Sequence, residues 1–330
     1  MRVLYVCYDG ILDNLGQTQI LPYIYGLNKK GYKFIIFSFE RSDRKKEEFI
    51  YQSNILKNKN IIWYHLPFYP AKFHRILRFI FGSIKLNIIF IKHKINFVHL
   101  RSINAGSLFL FSRVNIKYLY DIRAFAGQFE DYGLLKKSWF SKLFIYFEKI
   151  LINNAKGIVV LDKSGLDYIK HNHKVNVPIR VIPTSTNLEK FNLYNKTQND
   201  KCKKFKFVLL GGASFPYLPK KAFEFLNILI HKGVDCSLDI INERDHKFIN
   251  KIIDEIKFPR DKVNIFPLNP HELFHILSKY DCGLFFIKSG EWIRMSSPTK
   301  IGEYLAAGLH VVGLEGLEVT DRLAKETKCV

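Results

Sequence analysis

Short β-branched runs alternate with longer stretches of helical periodicity along the whole chain, and this alternation limits the fold more than any other feature. Candidate strands cover residues 3–8, 34–39, 61–65, 97–100, 118–121, 158–161 and 180–183. A second set covers 205–210, 237–241, 263–266, 283–286 and 311–313. Strands spaced by helices imply parallel sheets built from right-handed βαβ units. The length, 330 residues, exceeds one ordinary domain. Residues 192–204 (NLYNKTQNDKCKK) are polar and aperiodic, and read as a linker. The expected fold is therefore α/β, with two Rossmann-like doubly wound domains at 1–191 and 205–330. Ligands in such sheets bind beyond the carboxyl ends of the strands, so a cleft between the two domains is the expected site.

Composition narrows the class. Hydrophobic residues make up 48% of the chain, enough for a large core. The five cysteines are scattered at positions 7, 202, 236, 282 and 329, with no Cys-x-x-Cys pair, which points to a reducing compartment rather than disulfides or zinc. The start, MRVLYVCYDG, reads as a buried strand and not as a signal peptide. The most apolar stretch, residues 76–91, is interrupted by Arg78 and Lys85 and falls short of a membrane span. A cytoplasmic chain is expected.

Charge is one-sided. Fifty-one Lys and Arg against thirty Asp and Glu leave +21. Residues 1–200 hold 31 basic and 14 acidic side chains, net +17, and 201–330 hold 20 and 16, net +4. Residues 51–100 carry eight basic side chains and no acidic one. Such an excess attracts a polyanionic surface, either anionic lipid or nucleic acid. Arg78, Lys85 and Lys92 recur every seven residues among Phe and Ile, as on one face of an amphipathic helix. That face reads either as a membrane-docking patch or as the solvated side of a core helix.

The strongest local motif is SSPTKIGEYLAAG, Ser296 to Gly308. Ser297 suits an N-cap, Pro298 the first helical position and Gly308 the left-handed stop. The free N–H groups at this helix start would bind an anion. Ser296, Ser297 and Thr299 add hydroxyls there, and Lys300 adds a charge. Glu303, about one turn on, could accept from a ribose diol. The plain alternative is a well-capped helix with a Lys300–Glu303 surface pair.

The segment DCGLFFIKSGEWIRMSSPTKIGEYLAAGLHVVG resembles the nucleotide-sugar-binding segment of glycosyltransferase family 4, retaining enzymes of the GT-B fold. YDGILDNLGQTQILPYIYGLNKKGYKFIIFSFE is similar to that family's first strand, glycine loop and first helix, and HLRS and YDIRAFAGQFED are similar to its cleft-facing loops. Phe147-Glu148-Lys149, Val159-Val160-Leu161 and Val181-Ile182-Pro183-Thr184 follow in the family's order. The resemblance implies transfer of a sugar from a nucleotide-sugar to a lipid-linked or saccharide acceptor in cell-surface polysaccharide or glycolipid synthesis. It implies Glu303 on the nucleotide ribose, while the family's first glutamate would fall at Met295. Gly16 would let the loop approach the donor phosphates, and Lys288, or Lys220 and Lys221, would add phosphate contacts. Asp121 and Arg123 would act at the catalytic edge, with Glu130 and Asp131 as acceptor-side candidates. No Asp-x-Asp motif is present, so no metal or cofactor is expected beyond the nucleotide-sugar co-substrate. The family continues past the point matching Val330, so the C-terminal domain is expected to be incomplete.

Three other readings stay open. One is an inactive, shortened homologue. A second is a nucleotide-sugar epimerase of the same architecture. A third is a nucleic-acid binder, which the charge suggests but no recognition motif supports. A dinucleotide oxidoreductase is disfavoured, since no Gly-x-Gly-x-x-Gly follows the first strand.

Overall fold

The computed structural model describes residues 1–68, 72–112, 114–131, 139–188, 191, 204–213, 216–268 and 272–330; side chains are left aside at 72–75, 130–131 and 139–140. Elements of the first half are β1 (Arg2–Cys7), α1 (Leu21–Lys29), β2 (Lys33–Arg41), α2 (Lys46–Asn58), β3 (Ile62–Phe68), α3 (Lys72–Lys92), β4 (Phe97–Arg101) and α4 (Ser102–Phe111). Then come β5 (Tyr118–Asp121), α5 (Ala126–Asp131), α6 (Trp139–Asn154), β6 (Gly157–Val160), α7 (Lys163–Asn172) and β7 (Ile179–Val181). The second half runs β8 (Phe205–Leu210), α8 (Pro219–His231), β9 (Cys236–Ile241), α9 (His246–Ile256), β10 (Val263–Phe266), α10 (Leu273–Leu277), β11 (Cys282–Phe285), α11 (Thr299–Ala306), β12 (His310–Gly313) and α12 (Glu318–Glu326).

Every predicted strand is present. They form a seven-stranded sheet, β3-β2-β1-β4-β5-β6-β7, and a five-stranded sheet, β10-β9-β8-β11-β12, with parallel pairing throughout. The burial patterns explain the run-like sequence signal. In β1, Val3 to Cys7 are all buried, as expected for a central strand covered on both faces. β6 and β11 are buried at every position. Strand order reverses direction beside β1 in the first sheet and beside β8 in the second, and each reversal opens a crevice at the carboxyl ends.

Two compact units result, Met1–Pro183 and Thr184–Val330. The division comes earlier than the expected linker, most of which, 192–203, lies outside the described residues. In the first unit, Val3, Tyr5 and Cys7 pack with Ile20 and Ile24. In the second, Phe207, Leu209, Leu238 and Ile240 pack with Phe223, Leu226, Ile249 and Ile253.

The basic strip on α3 differs from expectation. Arg78 is buried, with its guanidinium over the rings of Phe68 at 4.0 Å and Tyr8 at 5.6 Å. Lys85 and Lys92 lie over the Tyr64 ring at 5.2 and 5.9 Å. A seven-residue repeat drifts by about 20° per step around a straight helix, enough to carry its first member toward the sheet. The solvent-facing row of α3 is instead apolar: Ile76, Ile80, Phe81, Ile84, Ile88 and Ile91. Among the described residues no helix is long and apolar enough to cross a membrane.

Candidate functional site

In the second unit the site begins at α11. Its N-cap is Pro298 (φ −69°, ψ 130°), whose own side chain offers no capping bond. The helix therefore starts one residue later than predicted, and its N-cap residue supplies no acceptor to the leading N–H groups. Ser297 does not cap. Its hydroxyl lies 2.9 Å from the Thr184 hydroxyl and accepts from the Thr184 N–H at 3.2 Å, and the Thr184 hydroxyl also donates to the Ser297 carbonyl. Ser297 thus fixes the approach to the helix, while Ser296 and Thr299 stand half-buried beside it.

Tyr304 anchors the helix. Its buried hydroxyl accepts from the Leu210 N–H at 2.9 Å, and its ring fills the space where a Cβ on Gly283 would sit 2.4 Å away. Glycine in β11 thus lets α11 lie directly on the sheet. This anchoring sets Lys300 beside the glycine turn after β8. Gly211 adopts φ +78°, and a Cβ there would meet Lys300 Cε at 2.9 Å. Asn242 and Asp245 hold the turn: the Asn242 amide donates to the Gly211 carbonyl at 2.9 Å, and Asp245 accepts from the Ala213 N–H at 2.7 Å.

Lys300 Nζ stands 3.6 Å from the Tyr217 ring centroid, a cation–π contact. Burial pulls the ammonium down to about 7, against the pull of Glu303 and Asp245. Glu303 is buried on the same helix; burial raises its carboxyl and Lys300 partly offsets this. Its carboxylate accepts no hydrogen bond among the described residues. Lys300, Tyr217, Gly212, Leu210 and Phe285 line a small recess that opens to solvent. A partly desolvated cation, the N–H groups of a helix start and an unused carboxylate suit an anion attached to a polyol.

Lys288 is exposed and does not line that recess; its N–H donates to the Pro216 carbonyl at 2.9 Å. Lys220 and Lys221 are exposed on α8, and Lys221 pairs with Glu224 at 2.8 Å. Met295 is buried, so its position offers a packed thioether and no carboxylate.

In the first unit a charged cluster sits at the carboxyl ends of β1, β4 and β5. The register sets Cys7 opposite Arg101 and Arg101 opposite Asp121, which levels these ends. Asp121 Oδ1 lies 2.7 Å from Arg123 Nε, and Oδ2 lies 3.1 Å from His99 Nε2 and 3.8 Å from Arg101 Nη1. Burial would raise this carboxyl, but the His99 hydrogen bond and the two arginines outweigh it and hold it at about 2. Burial lowers His99, so the imidazole is neutral and donates to Asp121. Asp9 Oδ2 lies 3.7 Å from Arg101 Nε. Asp121 is thus a buried anchor, and Arg123, its side chain 17% exposed, is the member that reaches outward.

Gly16 is buried, and its own loop accounts for the glycine. A Cβ there would lie 2.3 Å from the Gly10 carbonyl oxygen and 2.4 Å from Ile11 Cα, so the loop's own backbone needs the space. Glu40 ties the same loop by accepting from the Ile11 and Leu12 N–H groups at 2.8 and 3.1 Å. Both oxygens of Glu148 accept from the Ala126 N–H at 3.1 Å, and burial pushes this carboxyl up to about 8. The side chains of Glu130 and Asp131 lie outside the described residues.

Sequence reasoning missed Tyr217, Asn242, Asp245, Arg101, Asp9 and Glu40. Arg101 was within reach, because parallel pairing puts the last residues of adjacent inner strands side by side. Tyr217 carried no signal, since its contact depends on the fold of the glycine turn.

A model of the family described as Glycosyltransferase Family 4 matches residues 18–190. A comparison with curated proteins gives no match. Among solved structures, sucrose-phosphate synthase from Thermosynechococcus elongatus superposes with a TM-score of 0.66 at 12% identity, over 98% of this chain and 83% of that one. HepE from Anabaena, in complex with UDP-glucose, gives 0.62 at 10% identity over 97% and 82%. WaaG, a glycosyltransferase involved in lipopolysaccharide biosynthesis, gives 0.62 at 14% over 98% and 84%.

Proposed function

The chain belongs to glycosyltransferase family 4 and has a GT-B fold, and from that premise we propose that α11 holds a nucleotide-sugar donor whose sugar passes to an acceptor hydroxyl with retention at the anomeric carbon. The observation that carries this reading is Lys300, half-buried between Tyr217 and Gly211 at a helix start whose N-cap is a proline, with Glu303 on the same helix. The donor diphosphate would take the leading N–H groups of α11 and Lys300, and Glu303 would accept from the ribose hydroxyls. Ser296 and Thr299 add hydroxyls at the same place.

The chemistry follows from charge. The bond between the anomeric carbon and the diphosphate oxygen breaks, and negative charge grows on the departing phosphate. Lys300 and the N–H dipoles meet that charge without reorganising. The acceptor oxygen bonds to the anomeric carbon on the face the diphosphate leaves, and its proton passes to the leaving oxygen. Arg123, steadied by Asp121, offers a fixed donor fork to a phosphate or sugar hydroxyl. Lys300 supplies the cation, so the reading includes no metal or other cofactor.

The acceptor is proposed as lipid-linked or saccharide, in assembly of a cell-surface polysaccharide or glycolipid. The likeness to WaaG supports that class. With such an acceptor, the proposed location is the cytoplasm, at the inner face of the cell membrane.

UDP-, GDP- and ADP-sugars should be compared by thermal shift. One nucleotide class should raise the Tm, and Glu303→Ala should abolish the rise. Equal stabilisation of both proteins would remove the ribose contact. An epimerised sugar nucleotide formed without acceptor would replace transfer by epimerisation.

A further inference from the structure

We propose that the Lys300 amine is a nucleophilic modification site, acylated by acyl phosphates ahead of the chain's exposed lysines. The observation is an amine without an acceptor. Lys300 Nζ donates no hydrogen bond and joins no ion pair among the described residues, and it lies 3.6 Å from the Tyr217 ring centroid. Lys221 and Lys262, by contrast, pair with Glu224 and Asp235 at 2.8 and 3.0 Å. The walls of the recess are mostly apolar: Leu209, Leu210, Leu284 and Phe285 stand with Tyr217 around Lys300. The glycine turn closes the other side. A Cβ on Gly211 would meet Lys300 Cε at 2.9 Å and Nζ at 3.1 Å, so the bare backbone leaves room for the amine.

The titratable groups facing Nζ are Tyr217, Glu303 on its own helix and Asp245 ahead of α9. Both carboxylates favour the ammonium. Asp245 is engaged elsewhere, accepting from the Ala213 N–H and the Asn242 amide at 2.7 and 3.2 Å. Desolvation outweighs the two, and the amine sits at about 7. An ordinary lysine, at about 10.4, is almost wholly protonated in neutral solution. Lys300 therefore offers a free electron pair in a recess that solvent reaches, which is how burial makes a lysine nucleophilic.

The electrophile follows from the surroundings. The place read above as the seat of the donor diphosphate would equally take the phosphate of an acyl phosphate, so the choice of electrophile rests on the donor reading. The Nζ electron pair attacks the acyl carbon, and the bond from that carbon to the phosphate oxygen breaks. Inorganic phosphate leaves with those electrons and takes up the amine's proton. Nothing is oxidised or reduced. The product is a neutral amide that removes the cation and occupies part of the recess. The acylated chain should then fail to hold a nucleotide-sugar, which makes the reaction a brake on that site.

The test is peptide mapping by mass spectrometry after brief treatment of the full chain with acetyl phosphate at pH 7.5. Each lysine is read against Lys220 and Lys288, which are exposed in the same unit. Lys300 should acetylate about tenfold or more faster than either, because a far larger share of its amine is unprotonated. Glu303→Gln removes one charge that favours the ammonium, so it should speed Lys300 severalfold at pH 6.5 and leave Lys220 unchanged. Acetic anhydride, which carries no phosphate, is the second reagent. Preference for Lys300 with both reagents supports the proposal. Preference with the anhydride alone overturns the acyl phosphate, and Lys300 reacting no faster than Lys220 with either reagent overturns the site. Acetylated protein should also lose the thermal shift given by the stabilising nucleotide-sugar, and a full shift after acetylation overturns the brake. Unmodified protein that no nucleotide-sugar stabilises removes the donor reading instead, while the order of acetylation still decides the chemistry of the lysine.

Discussion

Lys300 and Glu148 are both held away from their ordinary protonation by burial, and each predicts a pH response of its own. Lys300 sits at about 7 in the free protein. A diphosphate beside it favours the charged form, so binding should draw in a proton where the free lysine is mostly neutral. The diphosphate diester of a nucleotide sugar has no proton to give in this range. Affinity for the donor should fall as pH rises above 7, by up to ~10-fold per unit for one linked proton. Calorimetry at pH 8 should then give a heat that depends on the buffer's own ionisation, and Lys300→Met should lose that dependence along with most of the affinity. Glu148 titrates near 8 in the folded chain and near 4.5 when unfolded. The folded state therefore binds more protons between those values, so stability should fall as pH rises through that window. The full effect has an upper bound of about 3–5 kcal/mol. Glu148→Gln should flatten the decline of Tm between pH 5 and 8. Asp121 pulls the other way, but only in acid, because its carboxyl sits at about 2 and its contribution is lost as pH falls through the range below 4.

At the scale of elements, one aromatic side chain decides where α11, the proposed donor helix, lies. Tyr304 of α11 bonds the Leu210 N–H at the end of β8 and packs face-on against Gly283 of β11. Gly283→Ala would force a methyl to within 2.4 Å of that ring. Overpacking of this kind costs about 1–3 kcal/mol, and the helix should shift with it. Tyr304→Phe keeps the ring but leaves the buried Leu210 N–H unpaired, for about 1–3 kcal/mol. Urea unfolding should record both losses, and both variants should bind donor more weakly through displaced Lys300. Full stability in either would show that α11 is not fixed by this contact. The helix itself was legible in the sequence. Its cap was not, because Ser297 is drawn off by Thr184, a residue more than a hundred positions earlier in the chain.

For the whole molecule, the strand list and its parallel order were readable because strands buried on both faces give runs of Val, Ile, Leu and Phe with no alternation to confuse. The geometry of the proposed donor side was readable too, since Pro298, Lys300, Glu303 and Gly308 lie in or beside one short helix. What escaped needed contacts distant in sequence. Arg101, Asp9 and Asp121 meet only when three strands end level, and Tyr217 reaches Lys300 only across the glycine turn. The seven-residue spacing on α3 was read correctly as helical, but it put Arg78 on the same open face as Lys85 and Lys92, whereas Arg78 is buried, because spacing gives the stripe but not the sheet it turns toward.

The order of the larger sheet also bears on how the chain is made. β1 leaves the ribosome before β2 and β4, yet it lies between them, and β4 is complete only at Arg101. At bacterial or eukaryotic elongation speeds this amounts to roughly 5–20 s. For that interval the sticky segment VLYVC waits with one flank unzipped, a target for trigger-type holdases and a seed for clumping on crowded polysomes.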